Sequence, residues 1–127
     1  MKSGLTLIAL ILSLNLTGYT QNPQEKLKFD FGWKFNIGDA YNAKEPAFDD
    51  SEWRKLDLPH DWSIEQEFSQ EYASCTGYLP GGIGWYRKTF AVPESYKGKM
   101  VSIQFDGIYN NSEVWANGHF LGYRPNG

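Results

Sequence analysis

The sequence is poor in the residues that cross-link, ligate metals or grip nucleic acid. Its single cysteine, Cys75, excludes an internal disulfide framework. The nearest histidine in sequence is His60, and Cys75 reads as a small, partly buried residue rather than a nucleophile. The two histidines, His60 and His119, lack the spacing of zinc ligands. No cofactor is expected. Lys and Arg number 12 against 15 Asp and Glu, giving a net charge of −3 with no basic run. That balance argues against nucleic acid as a partner. Long helical periodicity is absent, and Gly or Pro punctuates the chain every several residues, so helices are not the organising element. No internal repeat occurs.

What is present is apolar and aromatic material. Hydrophobic residues make up 41% and aromatics 17% of the 127 residues, enough for the core of one domain or part of one. The start of the chain has the layout of a secretion signal. Met1-Lys2 is charged, Leu5 to Leu16 is apolar apart from Thr6, Ser13 and Asn15, and small or polar residues follow from Thr17 to Gln21. This pattern predicts a signal peptide over 1–20, cut before Gln21, and an exported product, periplasmic or extracellular. The competing reading is an apolar first strand or helix of the fold. The apolar stretch is short of the roughly 20 residues a membrane span needs, and no membrane span is expected after signal removal. Residues 21–28 are polar with one Pro and read as a flexible lead-in to a domain over 29–127.

Beyond the lead-in the pattern is strand-like. Lys99 to Phe105 is the clearest strand, with Val101, Ile103 and Phe105 alternating against Ser102 and Gln104. Trp85 to Val92 reads as a second, stopped by Pro93, and Trp53 to Leu58 as a shorter one ending at Pro59. Asn117-Gly118 between two apolar runs predicts a tight hairpin, because both residues tolerate positive φ. That hairpin would set Ala116 opposite His119, Trp115 opposite Phe120 and Val114 opposite Leu121. Asn36 to Ser51 and Pro59 to Gly84 read as loops, the longer with one helical turn capped by Ser63. A loop of that length in a small domain usually carries function. The chain stops just after the hairpin, and the strands so far leave sheet edges open. The expectation is an incomplete β-sandwich, with further strands beyond Gly127.

Chemistry is harder to find. Carboxylates are plentiful, among them Asp49, Asp50, Asp57, Asp61, Glu65, Glu67 and Glu71, but turn caps and solvated faces account for most of them. Asp49-Asp50-Ser51 reads as a turn or helix-start cluster. His60 and Asp61 are adjacent on an extended segment and point apart, so they form no dyad alone. The run Gly77 to Gly84 lacks the Lys-Ser/Thr of a phosphate loop. The five tryptophans, Trp33, Trp53, Trp62, Trp85 and Trp115, either fill a core or stack on sugar rings. Core is the favoured reading for Trp53, Trp85 and Trp115, and Trp62 is open between the two.

Taken in order, four segments resemble the N-terminal domain of family 2 glycoside hydrolases of the β-galactosidase type. They are Phe31-Gly32-Trp33-Lys34-Phe35; Phe48 to Trp53 leading to Leu58-Pro59-His60-Asp61-Trp62; Gly82 to Phe90; and Phe105 to Ile108 followed by Val114 to Gly118 and Gly122-Tyr123. The resemblance spans about Phe29 to Gly127. It implies an all-β jelly-roll sandwich that binds sugar, followed in the parent protein by an immunoglobulin-like domain and a TIM barrel. The barrel would carry both catalytic glutamates of a retaining hydrolysis, so no catalytic residue is expected here. In such enzymes this domain lends the active site two polar groups. One position falls near Gly81, which has no side chain. The other matches Asn126, with Arg124 as a second contact. Asn126 offers an amide to a hydroxyl but no charge to a cation, and no metal is assigned.

Two other readings differ in class. A freestanding carbohydrate-binding module or lectin needs a complete sandwich with an exposed aromatic platform. A purely structural domain would only buttress an interface, and Asn126 and Arg124 would then be ordinary turn residues.

Overall fold

The computed structural model describes residues 25–126. The expected signal peptide over 1–20 and half of the lead-in lie outside the described residues. Five strands occur among the described residues: β1 (Trp33–Ile37), β2 (Arg54–Leu56), β3 (Gly84–Arg87), β4 (Ser112–Ala116) and β5 (His119–Arg124). The longest helical element among the described residues is a four-residue 3-10 turn, Tyr41–Lys44. The expectation of an all-β chain is met.

β1 is the centre of a three-stranded antiparallel sheet in the order β2-β1-β3. Its alternation decides the two faces. Trp33 and Phe35 point one way and are 8% and 4% exposed; with Ala43 they are the buried hydrophobics among the described residues. Lys34 points the other way. Directly opposed residues share a face, so Phe35 sits with Arg54 and Tyr86, while Lys34 sits with Lys55 and Arg87.

The apolar face is built from aromatic edges. Phe29 meets both Trp33 and Phe90 in T-shaped contacts at 5.4 and 4.8 Å, and the Trp33 indole N–H donates to the Phe29 carbonyl at 2.8 Å. Phe35 lies 4.8 Å from Tyr86 and 4.9 Å from His60. The opposite face is ionic. Asp50 takes Lys34 on one carboxylate oxygen and Arg87 on the other. Arg87 also donates to the carbonyls of Ala43, Glu45 and Pro46 at 2.9, 2.8 and 3.2 Å, pinning the 41–46 loop to the sheet.

β4 and β5 form the expected hairpin. Asn117 and Gly118 have φ of 51° and 81°, and Trp115 faces Phe120 with ring centroids 4.8 Å apart. Val114, however, pairs with Gly122 and not with Leu121, because a bulge lies between Val114 and Trp115. The extra residue on β5 shifts every pair beyond it by one. Trp115 rests on the 41–46 loop, edge-on to Tyr41 at 6.4 Å, with the Lys44 ammonium 5.0 Å from its ring.

Several strand boundaries move. The expected strand Lys99 to Phe105 makes no ladder among the described residues. Its alternation selects an apolar face, but a strand also needs a neighbour to take its backbone hydrogen bonds, and Val101, Ile103 and Phe105 stay 49%, 40% and 38% exposed. The strand expected over Trp85 to Val92 is β3, ending at Arg87. Lys88 leaves the ladder there, its ammonium donating to the carbonyls of Phe29 and Phe31. The Asn36 to Ser51 loop starts later than expected, since Asn36 and Ile37 continue β1.

Candidate functional site

The 59–84 connection, read as a loop, lines a concavity against the end of β1. It is shaped by where Trp62 can sit. A Cβ built on Gly84 would lie 3.0 Å from the Trp62 indole nitrogen and 3.0 Å from the Phe35 ring, and one on Gly82 would lie 3.6 Å from Trp62. The indole therefore lies against a backbone stripped of side chains, and the glycine run serves as its seat rather than as a phosphate cradle. Gly82 also has φ of 151°, a conformation that glycine alone adopts readily.

Polar groups hold the residues on either side. Asp61 accepts from the Ser63 amide at 3.0 Å and the Ser63 hydroxyl at 2.7 Å. Asp61 thus makes an Asx-type turn that leads into the Ser63–Glu65 3-10 turn; the N-cap position is Trp62, which makes no side-chain cap bond, and Ser63, expected as the cap, is the first residue inside the turn. His60 packs on Phe35, with Nδ1 2.8 Å from the Tyr86 hydroxyl and Nε2 2.7 Å from Arg54 and 3.2 Å from Glu65. Arginine can only donate, so a neutral His60 accepts from Arg54 at Nε2 and carries its proton on Nδ1, toward Tyr86. Arg54 also donates to Glu65 at 2.7 Å, and this bond comes first in holding the Glu65 carboxyl below its usual range. Burial, aided by the charge of Asp61, pushes the Tyr86 hydroxyl up to about 12. The His60–Asp61 pair is no dyad: the two side chains serve different partners.

Beside this clamp lies an open cleft of about 460 Å³. Trp62 and Tyr72 line it with aromatic surface, Gln66 and Glu67 with an amide and a carboxylate, and Ile37-Gly38 and Pro80 to Ile83 complete it. The amide of Gly38 donates to the Ile83 carbonyl at 2.8 Å, which ties these last two segments together. An aromatic surface beside a few polar groups suits a ligand with one apolar face and several hydroxyls. Glu67 is the one carboxylate lining the cleft among the described residues. Among the described residues no group of three or more His, Cys, Asp or Glu is placed to hold a metal ion.

Of the positions singled out from sequence, Gly81 and Trp62 line this cleft, whereas Asn126 and Arg124 do not. Arg124 ends β5 opposite Ser112. Asn126 is exposed just beyond Pro125, whose carbonyl accepts from the Asn111 amide at 3.3 Å. Gln66, Glu67 and Tyr72 were missed. The available signal was their place in an unusually long connection bounded by a proline and a glycine run.

The chain is similar to known proteins over most of its described length. It is 55% identical over 108 residues to "Beta-galactosidase BoGH2A" of Bacteroides ovatus, a match covering 84% of this chain and 13% of that protein. It is 40% identical over 120 residues to a "Putative beta-glucuronidase" of Formosa agariphila, covering 93% and 12%. Among solved structures, a beta-glycosidase from Bacteroides vulgatus superposes with a TM-score of 0.78 at 51% identity, over 82% of this chain and 14% of that one. A glycosyl hydrolase family 2 member from Bacteroides cellulosilyticus gives 0.67 at 39% identity, over 78% and 14%. No family model matches the chain. The chain thus spans about an eighth of the length of these relatives, and by sequence and by structure it belongs to the family 2 glycoside hydrolases.

Proposed function

We propose that the chain is the N-terminal sugar-binding domain, a jelly-roll sandwich over 29–127, of an exported glycoside hydrolase that retains anomeric configuration. The observation that supports this most directly is the Trp62 ring, held on the Gly82–Gly84 backbone beside Tyr72, Gln66 and Glu67. On this reading the hydrolytic carboxylates belong to a barrel domain of the parent protein, reached through an immunoglobulin-like domain. The present chain supplies surface that grips the sugar. Residues 1–20 are its signal peptide and 21–28 its lead-in. The relatives' names include a galactosidase and a glucuronidase, so a β-galactoside or a related glycoside is the ligand class.

Asn126 and Arg124 are the further substrate contacts in this reading. A hydrogen bond to a sugar hydroxyl contributes about 1 kcal/mol net. Asn126→Ala or Arg124→Ala in the full-length parent enzyme is then expected to raise KM for an aryl β-glycoside about fivefold with kcat little changed. Steady-state kinetics measure both constants, and unchanged KM in both variants would leave the hairpin end with a structural role only.

A further inference from the structure

The segment that builds the cleft is electrostatically one-sided. From Leu56 to Tyr86 the sequence contains Asp57, Asp61, Glu65, Glu67 and Glu71 and no lysine or arginine. Of the sheet's cations, Lys55 shares the face of Lys34, opposite to that of Phe35, and the others are engaged. Arg54 is bonded to Glu65 and His60, and Lys34 and Arg87 are paired with Asp50 on the opposite face. Within the cleft, Glu67 is the sole charged lining residue among those described, and among the described residues no side chain forms an ion pair with it. Its acceptor oxygens are therefore free to take sugar hydroxyls.

Building on the reading of this cleft as a sugar site, we propose that it selects neutral glycosides against uronic acid glycosides, with Glu67 as the residue that sets the choice. A neutral sugar presents hydroxyl donors to Glu67 and Gln66 and a C–H face to Trp62. A uronide brings a carboxylate into a cleft that offers it no cation. It meets like charge at Glu67 and loses water without a compensating partner. Carboxylates about 4 Å apart repel by about 1 kcal/mol even in water-like surroundings, roughly a fivefold effect, and by more where water is thinned.

The test is a fluorine NMR titration of the full-length parent enzyme labelled with fluorotryptophan, with methyl β-galactoside and, separately, with methyl β-glucuronide and methyl β-galacturonide, followed at the Trp62 signal. The neutral glycoside is expected to shift that signal, with the uronides binding at least about fivefold more weakly. Glu67→Gln should bring the three ligands within about twofold of one another, and Glu67→Lys should reverse the order. Glu67 is exposed, so neither change threatens the fold. Uronides that match or exceed the neutral sugar, or a preference that survives Glu67→Gln, would overturn the assignment of selectivity while leaving the sugar site standing. A Trp62 signal unmoved by all three ligands would remove the sugar site itself, and the selectivity with it.

Discussion

Gly84 shows how one absent side chain can carry a site. A methyl group there would press on the Phe35 ring and the Trp62 indole at once, each 3.0 Å from the new carbon. Both rings are held, Phe35 by burial and Trp62 by the flanking His60 and Asp61 contacts, so one of them has to give. Gly84→Ala is expected to destabilise the chain by about 1–3 kcal/mol, in the range of overpacked cores, and to change Trp62 emission. Urea unfolding monitored by fluorescence measures both. Asp50 is the second residue with more than one duty. Its bond from Lys34 comes first in holding its carboxyl below the usual value, with Arg87 adding to it. A folded pKa below the unfolded one favours the folded state once the carboxylate is ionised. The stabilisation is therefore complete above the unfolded carboxylate pKa of about 3.9 and is lost as pH falls through the depressed one. Asp50→Asn should cost about 2 kcal/mol at neutral pH, since it unpairs two cations that are largely covered. The deficit should shrink in acid, which denaturant midpoints across pH 2 to 7 would reveal.

At the scale of elements, the hairpin was the most legible feature of the sequence and the lone strand the least. Asn117-Gly118 specifies a turn type by local sterics alone, and the structure has positive φ at both positions. Asn117→Ala should therefore cost about 1 kcal/mol, because alanine lacks the short polar side chain that lets asparagine tolerate the left-handed region, with the loss visible in the unfolding midpoint and in weaker Trp115–Phe120 ring shifts. The bulge at Val114/Trp115 was hidden because an unpaired residue leaves no mark in an apolar pattern. Lys99 to Phe105 failed for a different reason: alternation records which face is apolar, not whether a partner strand is there. β1 escaped notice because Asn36 carries a turn-like residue type into a strand. Its position there reflects pairing with Trp85, a contact distant in sequence.

At the scale of the whole molecule, sequence order carried more than any single motif. The four segments from Phe31 to Tyr123 pointed to the family to which the comparisons assign the chain. The site was legible only in outline. Trp62 was open between core and ligand, and the structure gives it both neighbours, Gly84 on one side and the cleft on the other. Gln66, Glu67 and Tyr72 could not be read because nothing local distinguishes them from other loop residues; only the folding of the loop against the end of β1 and the start of β3 brings them together. The measurement that bears most directly on the account is glycosidase kinetics of full-length parent enzyme carrying Trp62→Ala. Loss of an aromatic sugar contact of about 1.5 kcal/mol predicts a KM raised about tenfold for a neutral β-glycoside, in a variant whose far-ultraviolet circular dichroism shows it folded. An unchanged KM in a folded variant would contradict it.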